Sequence, residues 1–215
     1  MAEEHDSIIL AGRYEIQPGE RMPHLDSPGA QAFAVHDRDD PAAELFALIP
    51  PVHLACRAFL YPVDQATSSH MLWPRSVGIV DWPVSGSGED TVWGRRPALV
   101  FPKPGGERVV ANAKTALPTF GENQLLKHVL EPVLHALRDM GPSGATHRAI
   151  RPDNLFFELG NSGGVILGEC FSMPPGYGQN AIYETIENAA CLPMRSQSIR
   201  ISASTPQMAI SSRLA

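Results

Sequence analysis

Apolar and polar positions follow two different periods along this chain, and the change falls near residue 110. Over the first hundred residues the short period dominates. Q-A-F-A-V-H-D-R (31–38) alternates as a strand does, D-D-P-A (39–42) carries turn chemistry, and E-L-F-A-L-I (44–49) is a second apolar strand. S-V-G-I-V-D-W (76–82) and R-P-A-L-V-F (96–101) read the same way, with S-G-S-G-E-D (85–90) as a flexible turn and P-K-P-G-G-E-R (102–108) as a break. Residues 52–61 fit a short helix or a strand equally well, because ten residues do not separate the two periods. Ile8 to Leu10 form an apolar trio with little other signal, and beyond Tyr14 the chain is punctuated by Pro18, Gly19, Pro23, Pro28 and Gly29. The pattern predicts a small, mostly β lobe of four to five strands.

Beyond residue 120 the longer period takes over. Leu125, Leu126, Val129, Leu130, Val133, Leu134, Leu137 and Met140 recur at helical spacing, which predicts a helix over 122–140. Gly141 and Pro142 end it. Pro132 removes one backbone donor and crowds the carbonyl of His128, so a kink is expected there. N-L-F-F-E-L (154–159) and V-I-L-G (165–168) predict a short hairpin around G-N-S-G-G (160–164). M-P-P-G-Y-G-Q (173–179) reads as a loop and A-I-Y-E-T-I-E-N-A-A (181–190) as the start of a further helix. From Cys191 to Ala215 there are no acids and no aromatics but six serines and three arginines, a composition that predicts a disordered tail.

Composition narrows the function classes. With 215 residues, 43% of them hydrophobic, the chain can bury one sizeable core or two small ones. The net charge of -6 without a long basic block argues against nucleic acid as a partner. Cys56, Cys170 and Cys191 are far apart and odd in number, which fits a reducing cytosol rather than a disulfide framework or a zinc site. The acidic start M-A-E-E-H-D and the absence of a membrane-length apolar run lead us to expect a cytoplasmic protein with no membrane partner.

Between the long helix and the hairpin lies A-T-H-R-A-I-R-P-D-N-L-F-F (145–157), a polar loop able to present several side chains at one point. It resembles the catalytic loop of the eukaryotic-type protein kinases, H-R-D-x-K-P-x-N-L-L, with His147, Arg148, Pro152, Asn154 and Leu155 in register and Arg151 in place of lysine. The resemblance runs from about Tyr14 to Ala190. It implies an α+β, protein-kinase-like fold: a small antiparallel β lobe (13–108) after an N-terminal extension (1–12), then an incomplete, mainly helical large lobe (109–190) and the tail (191–215). Each departure from the family falls on a residue that carries chemistry. Ala149 stands at the catalytic Asp, Ile49 at the ATP-binding Lys of V-A-I-K, and E-C-F (169–171) at the metal-binding D-F-G. The span holding Gly19 and Gly29 lacks the G-x-G-x-x-G spacing that cradles nucleotide phosphates.

What the resemblance implies is a pseudokinase acting as a binding or regulatory module, with a degenerate catalytic loop of His147, Arg148, Ala149 and Arg151. Asn154, Ile49 and Glu169 occupy the cofactor-binding positions for ATP, and Asn154 and Glu169 are the pair that could hold Mg²⁺. An alternative is an atypical active serine/threonine kinase, with Asp153 or another carboxylate as base; another is a truncated kinase-like product. The partner expected is a protein, including a second copy of the chain through the incomplete large lobe, whose wide apolar helix arc needs cover. Blander roles stand beside these: His147 and Arg148 as loop-holding residues, Asn154 as a backbone cap, and Glu169 as a loop-bonded carboxylate. His128 and His135 read as ordinary helix positions, Cys170 as a buried small hydrophobe, and Trp73, Trp82 and Trp93 as core or interface aromatics.

Overall fold

The computed structural model describes residues 7–27, 30–50, 68–86, 90–111, 115, 118–143, 147, 149–158 and 164–170. The readings of 52–61, 173–179, 181–190 and the 191–215 tail, and the side chain of Arg148, lie outside the described residues.

The described residues of the first half fold as a six-stranded antiparallel sheet, the four strands the pattern marks between 31 and 101 and two more before them. Its strands are β1 (Ile8–Leu10), β2 (Tyr14–Arg21), β3 (Gln31–Asp37), β4 (Leu45–Ile49), β5 (Ser76–Ser85) and β6 (Val92–Pro102), in the spatial order β1-β2-β3-β4-β6-β5. The β1–β2 hairpin turns through Ala11 and Gly12, both at positive φ (53° and 71°), and the Arg13 amide closes it on the Leu10 carbonyl at 3.2 Å. In β2 the register shifts between Ile16 and Arg21, where Pro18 and Gly19 interrupt the ladder.

The sheet curls until its two edges meet. Gly78 on β5 lies so close to β1 that a Cβ there would stand 2.6 Å from Leu10 Cδ1. Curling gives the sheet an inner and an outer face, and successive residues of a strand point to opposite ones. The inner face packs Leu10, Tyr14, Ile16, Phe33, Val35, Leu45, Ala47, Ile49, Val80, Trp82, Ala98 and Val100. Phe33 and Trp82 meet edge to face at 4.6 Å within it. The outer face presents Ala32, Phe46, Leu48, Leu99 and Phe101 to Leu25, Ala30, Leu72 and Phe156. All five residues of β4 are buried, as a strand covered on both faces requires.

The long helix is continuous but not uniform. An α-helical turn α1 (Glu122–Gln124) leads into a π-helical stretch, Leu125–Leu130, and then α2 (Glu131–Met140). The expected consequence of Pro132 is met by widening the preceding turn: the Glu131 amide bonds back five residues, to the Leu126 carbonyl. Gln124 accepts from the Gly121 amide at 3.0 Å and secures the start. Val129, Val133, Ala136 and Met140 face a core with Met71, Trp73, Val109, Val110, Leu155, Val165, Leu167 and Cys170. No helix among the described residues is long and apolar enough to cross a membrane.

The predicted hairpin forms as β7 (Leu155–Phe157) and β8 (Val165–Leu167). It is flanked on both sides. On one side the Leu72 amide donates to the Leu167 carbonyl and the Leu167 amide to the His70 carbonyl, and on the other the Val109 amide donates to Leu155 and the Phe157 amide to Glu107, all at 2.8 Å. The loops entering and leaving the sheet are thus stitched directly to the hairpin.

Candidate functional site

The loop from His147 to Asn154 is held by its own backbone. His147 is buried, and its Nδ1 accepts from the Ala149 amide at 3.2 Å while Nε2 lies 3.1 Å from the Gly168 carbonyl. An amide can only donate and a carbonyl can only accept, so this pair of contacts calls for a neutral imidazole protonated at Nε2. Asn154 is 1% exposed, and its Nδ2 donates to the carbonyls of Ala149 (2.8 Å) and Glu169 (2.7 Å). The Gly168 amide donates to the Asn154 carbonyl at 2.7 Å. Position 168 has to be glycine for this approach: a Cβ there would lie 2.0 Å from Asn154 Oδ1. Through its Nδ2, Asn154 therefore joins the loop to the strand end at Glu169.

The remaining charged groups form a buried polar layer between sheet and loop. Glu169, 3% exposed, accepts a hydrogen bond from Ser27 Oγ. Arg151, 6% exposed, donates from Nε to Asp153 Oδ1 at 3.0 Å, and its second terminal nitrogen has no hydrogen-bond partner among the described residues. Arg108 donates to three carbonyls, those of His24 (2.9 Å), Asp26 and Asp153, and its guanidinium stacks 4.7 Å over the Phe156 ring. Burial pulls the Arg108 guanidinium below its usual pKa, with Asp153 and Glu169 opposing. Ser27 and Arg108 together bind the β2–β3 connection down onto the loop.

Above this layer the sheet is closed by apolar side chains. Phe46 and Phe101 stack at 5.6 Å, both 2% exposed, and Leu25, from the short 3-10 helix Pro23–Leu25, joins them against Phe156. Between the outer sheet face and the β7 strand that follows the loop, these apolar side chains pack directly on one another.

Ile49 is not there. It lies on the inner face with Trp82 and Val100, away from Phe156, and Phe46 and Leu48 are the β4 residues turned toward the loop. Neighbouring residues of a strand take opposite faces, so Ile49 and Ala47 share the inner face while Phe46 and Leu48 share the outer one. Ile49 lines a cavity of about 500 Å³ together with Asp26, Ser27, Pro50, Trp82 and Arg96, so the cavity borders the polar layer at Ser27. Ala149 is 2% exposed and contributes only backbone. Among the described residues no three His, Cys, Asp or Glu side chains converge as metal ligands. Asn154 and Glu169 do meet, but through the Asn154 amide and the Glu169 main-chain carbonyl.

Ser27, Leu25, Phe46 and Arg108 carry the site and were not singled out from the sequence. Arg108 has no local signal, since its acceptors are main-chain carbonyls up to 84 residues away. Of the tryptophans, Trp73 and Trp82 are core residues and Trp93 is 52% exposed; Cys170 is buried, as expected of a small hydrophobe.

No family model matches the chain, and no curated protein matches it. Solved structures do. The chain is similar to the structure of Rad53 1-466 in complex with AMP-PNP, with a TM-score of 0.52 and 15% identity over 84% of this chain and 44% of that one. It is similar to the PknI kinase domain of Mycobacterium tuberculosis, with a TM-score of 0.52 and 13% identity over 81% of this chain and 63% of that one. A double mutant of the same domain gives a TM-score of 0.54 at 12% identity. The chain spans about 44% to 65% of the length of these structures. The curled sheet, the long helix and the loop-and-hairpin that follows it together make a protein-kinase-like fold.

Proposed function

We propose that this protein is a kinase-like binding module that does not transfer phosphoryl groups efficiently. The observation that carries the proposal is the apolar packing between the outer sheet face and Phe156. Leu25, Phe46, Phe101 and Phe156 are buried against one another there, and Arg108 and Ser27 tie the β2–β3 connection to the loop below. ATP in this space would require Leu25 and the two phenylalanines to leave a core they share with Phe156. Asn154 Nδ2 is spent on the carbonyls of Ala149 and Glu169 and Glu169 Oε1 on Ser27, which leaves Asn154 Oδ1 and the second Glu169 oxygen as the atoms a Mg²⁺ would have to use. Chemistry points the same way. A general base contributes about 10²- to 10⁴-fold, and Ala149 has no group that accepts a proton. Leu48, on the loop-facing side of β4, cannot balance phosphate charge either.

The test is a melting curve of the whole protein with and without 5 mM Mg-ATP. A site with a Kd of ~50 µM would add about 2.7 kcal/mol, a shift of several degrees for a protein of this size. We expect no shift and no transfer of labelled phosphate to itself or to a generic protein substrate. A shift that disappears in Asn154→Ala or Glu169→Ala would instead favour an atypical serine/threonine kinase that binds Mg²⁺ through those two residues.

A further inference from the structure

The helix that buries Val129, Val133, Ala136 and Met140 leaves a second apolar stripe uncovered. Leu125, Leu126, Leu130 and Leu134 are 41%, 49%, 43% and 62% exposed. Leu126, Leu130 and Leu134 follow one another at steps of four, and Glu122 and Arg138 extend the same spacing at either end. In a regular α-helix, steps of four wind around the axis by about 40° each. The π-helical stretch Leu125–Leu130 has wider turns, so there a step of four falls short of a full turn and takes back part of that drift. The result is a nearly straight row, acid at one end, three leucines in the middle, and base at the other.

We propose that this row is the interface of a symmetric dimer formed with a second copy of the chain. An antiparallel pair with its two-fold axis at Leu130 sets Leu130 on Leu130 and Leu126 on Leu134. It also sets Glu122 opposite Arg138 at both ends, the self-complementary pattern an isologous contact demands. A parallel pairing sets Glu122 on Glu122 and Arg138 on Arg138, so like charges reject it. Arg138 is free to reach across: its side chain is 71% exposed and holds Asp139 through Nε and one terminal nitrogen, which leaves the other for the second copy's Glu122. The inference deepens the binding-module reading by naming its partner and surface, and it stands or falls independently of the nucleotide test.

Sedimentation of the whole protein from 1 to 100 µM tests it together with five surface variants. Wild type is expected to dimerise within that range. Glu122→Arg and Arg138→Glu should each raise the dimer dissociation constant about tenfold, and the double variant Glu122→Arg/Arg138→Glu should restore it. Leu130→Cys, placed on the two-fold axis, should form a disulfide-linked dimer under mild oxidation, which neither wild type nor Ile79→Cys (also at an exposed position) does to the same extent. A monomer at 100 µM, or a dimer unmoved by both charge reversals, overturns the proposal. So does a monomer whose Leu130→Cys thiol is shielded from alkylation, which would assign the stripe to residues 171–215 of the same chain. In each of these cases a null Mg-ATP result would stand unaffected.

Discussion

Asp37 shows how one side chain can organise a strand end. It is fully buried at the end of β3, and Arg13 grips both its oxygens at 2.7 Å while the Asp39 amide donates to one of them at 3.0 Å. The Arg13 guanidinium, above all by hydrogen bonding, holds the Asp37 carboxyl down from its ordinary 3.8 to about 2. A depressed carboxylate stabilises the fold above its ordinary pKa and stops doing so as acid protonates it in the native state. The stability Asp37 contributes should therefore be complete above pH 5 and be lost as pH falls from about 4 through about 2. Asp37→Asn should lower Tm at pH 7, and the gap to wild type should close between pH 4 and 2. A gap that stays constant over that range would place the stabilisation elsewhere. His147, Asn154 and Pro152 were legible at this scale because a loop motif marks them by spacing alone. Arg108 was not, because nothing local distinguishes an arginine that bonds distant carbonyls from one in solvent.

At the scale of elements, β4 and the long helix were visible in the pattern, but for different reasons and to different depths. Five apolar residues in a row announce a buried strand, yet the same uniformity hides which face each residue takes. The position that resembles the family's lysine, Ile49, stands on the inner face, and nothing in a uniformly apolar run announces that. The β1–β2 hairpin escaped the pattern because β1 has only three residues and Pro18–Gly19 breaks the alternation of β2. Its turn also violates a local preference, since Ala11 adopts φ 53°, where a Cβ costs about 1–2 kcal/mol. Ala11→Gly should relieve that strain, offset in part by the added freedom of the unfolded chain, for a net gain of about 0.5–1 kcal/mol and a rise in Tm. A loss of stability would mean that the turn relaxes away from positive φ in solution. In the long helix, the periodicity marked the buried and exposed arcs alike, but it could not distinguish a kink at Pro132 from a wide turn before it.

For the whole molecule, the decisive feature is that sheet and loop share one core. Leu25, Phe46 and Phe101 from the first half bury against Phe156 from the second, and the β7–β8 hairpin takes backbone bonds from segments 70–72 and 107–109. The change of period near residue 108 is thus crossed by a shared core and by backbone bonds. Expressed alone, residues 13–108 should be insoluble or molten, because the outer face of the sheet would be open to water; a fragment with a cooperative melt and a dispersed amide spectrum would show that the sheet closes without Phe156. Phe46→Ala in the whole chain should cost about 3–5 kcal/mol for the same reason.

The Arg108 clamp has a consequence for recombination. Its donors sit at the exit of the sheet, its acceptors at 24, 26 and 153, and its stacking partner at 156. A chimaera that joins either half of this chain to the matching half of another kinase-like protein inherits one side of that junction without the other. The two halves can be exchanged only if Arg108 and Phe156 travel together, so drift at one position constrains what the other can become.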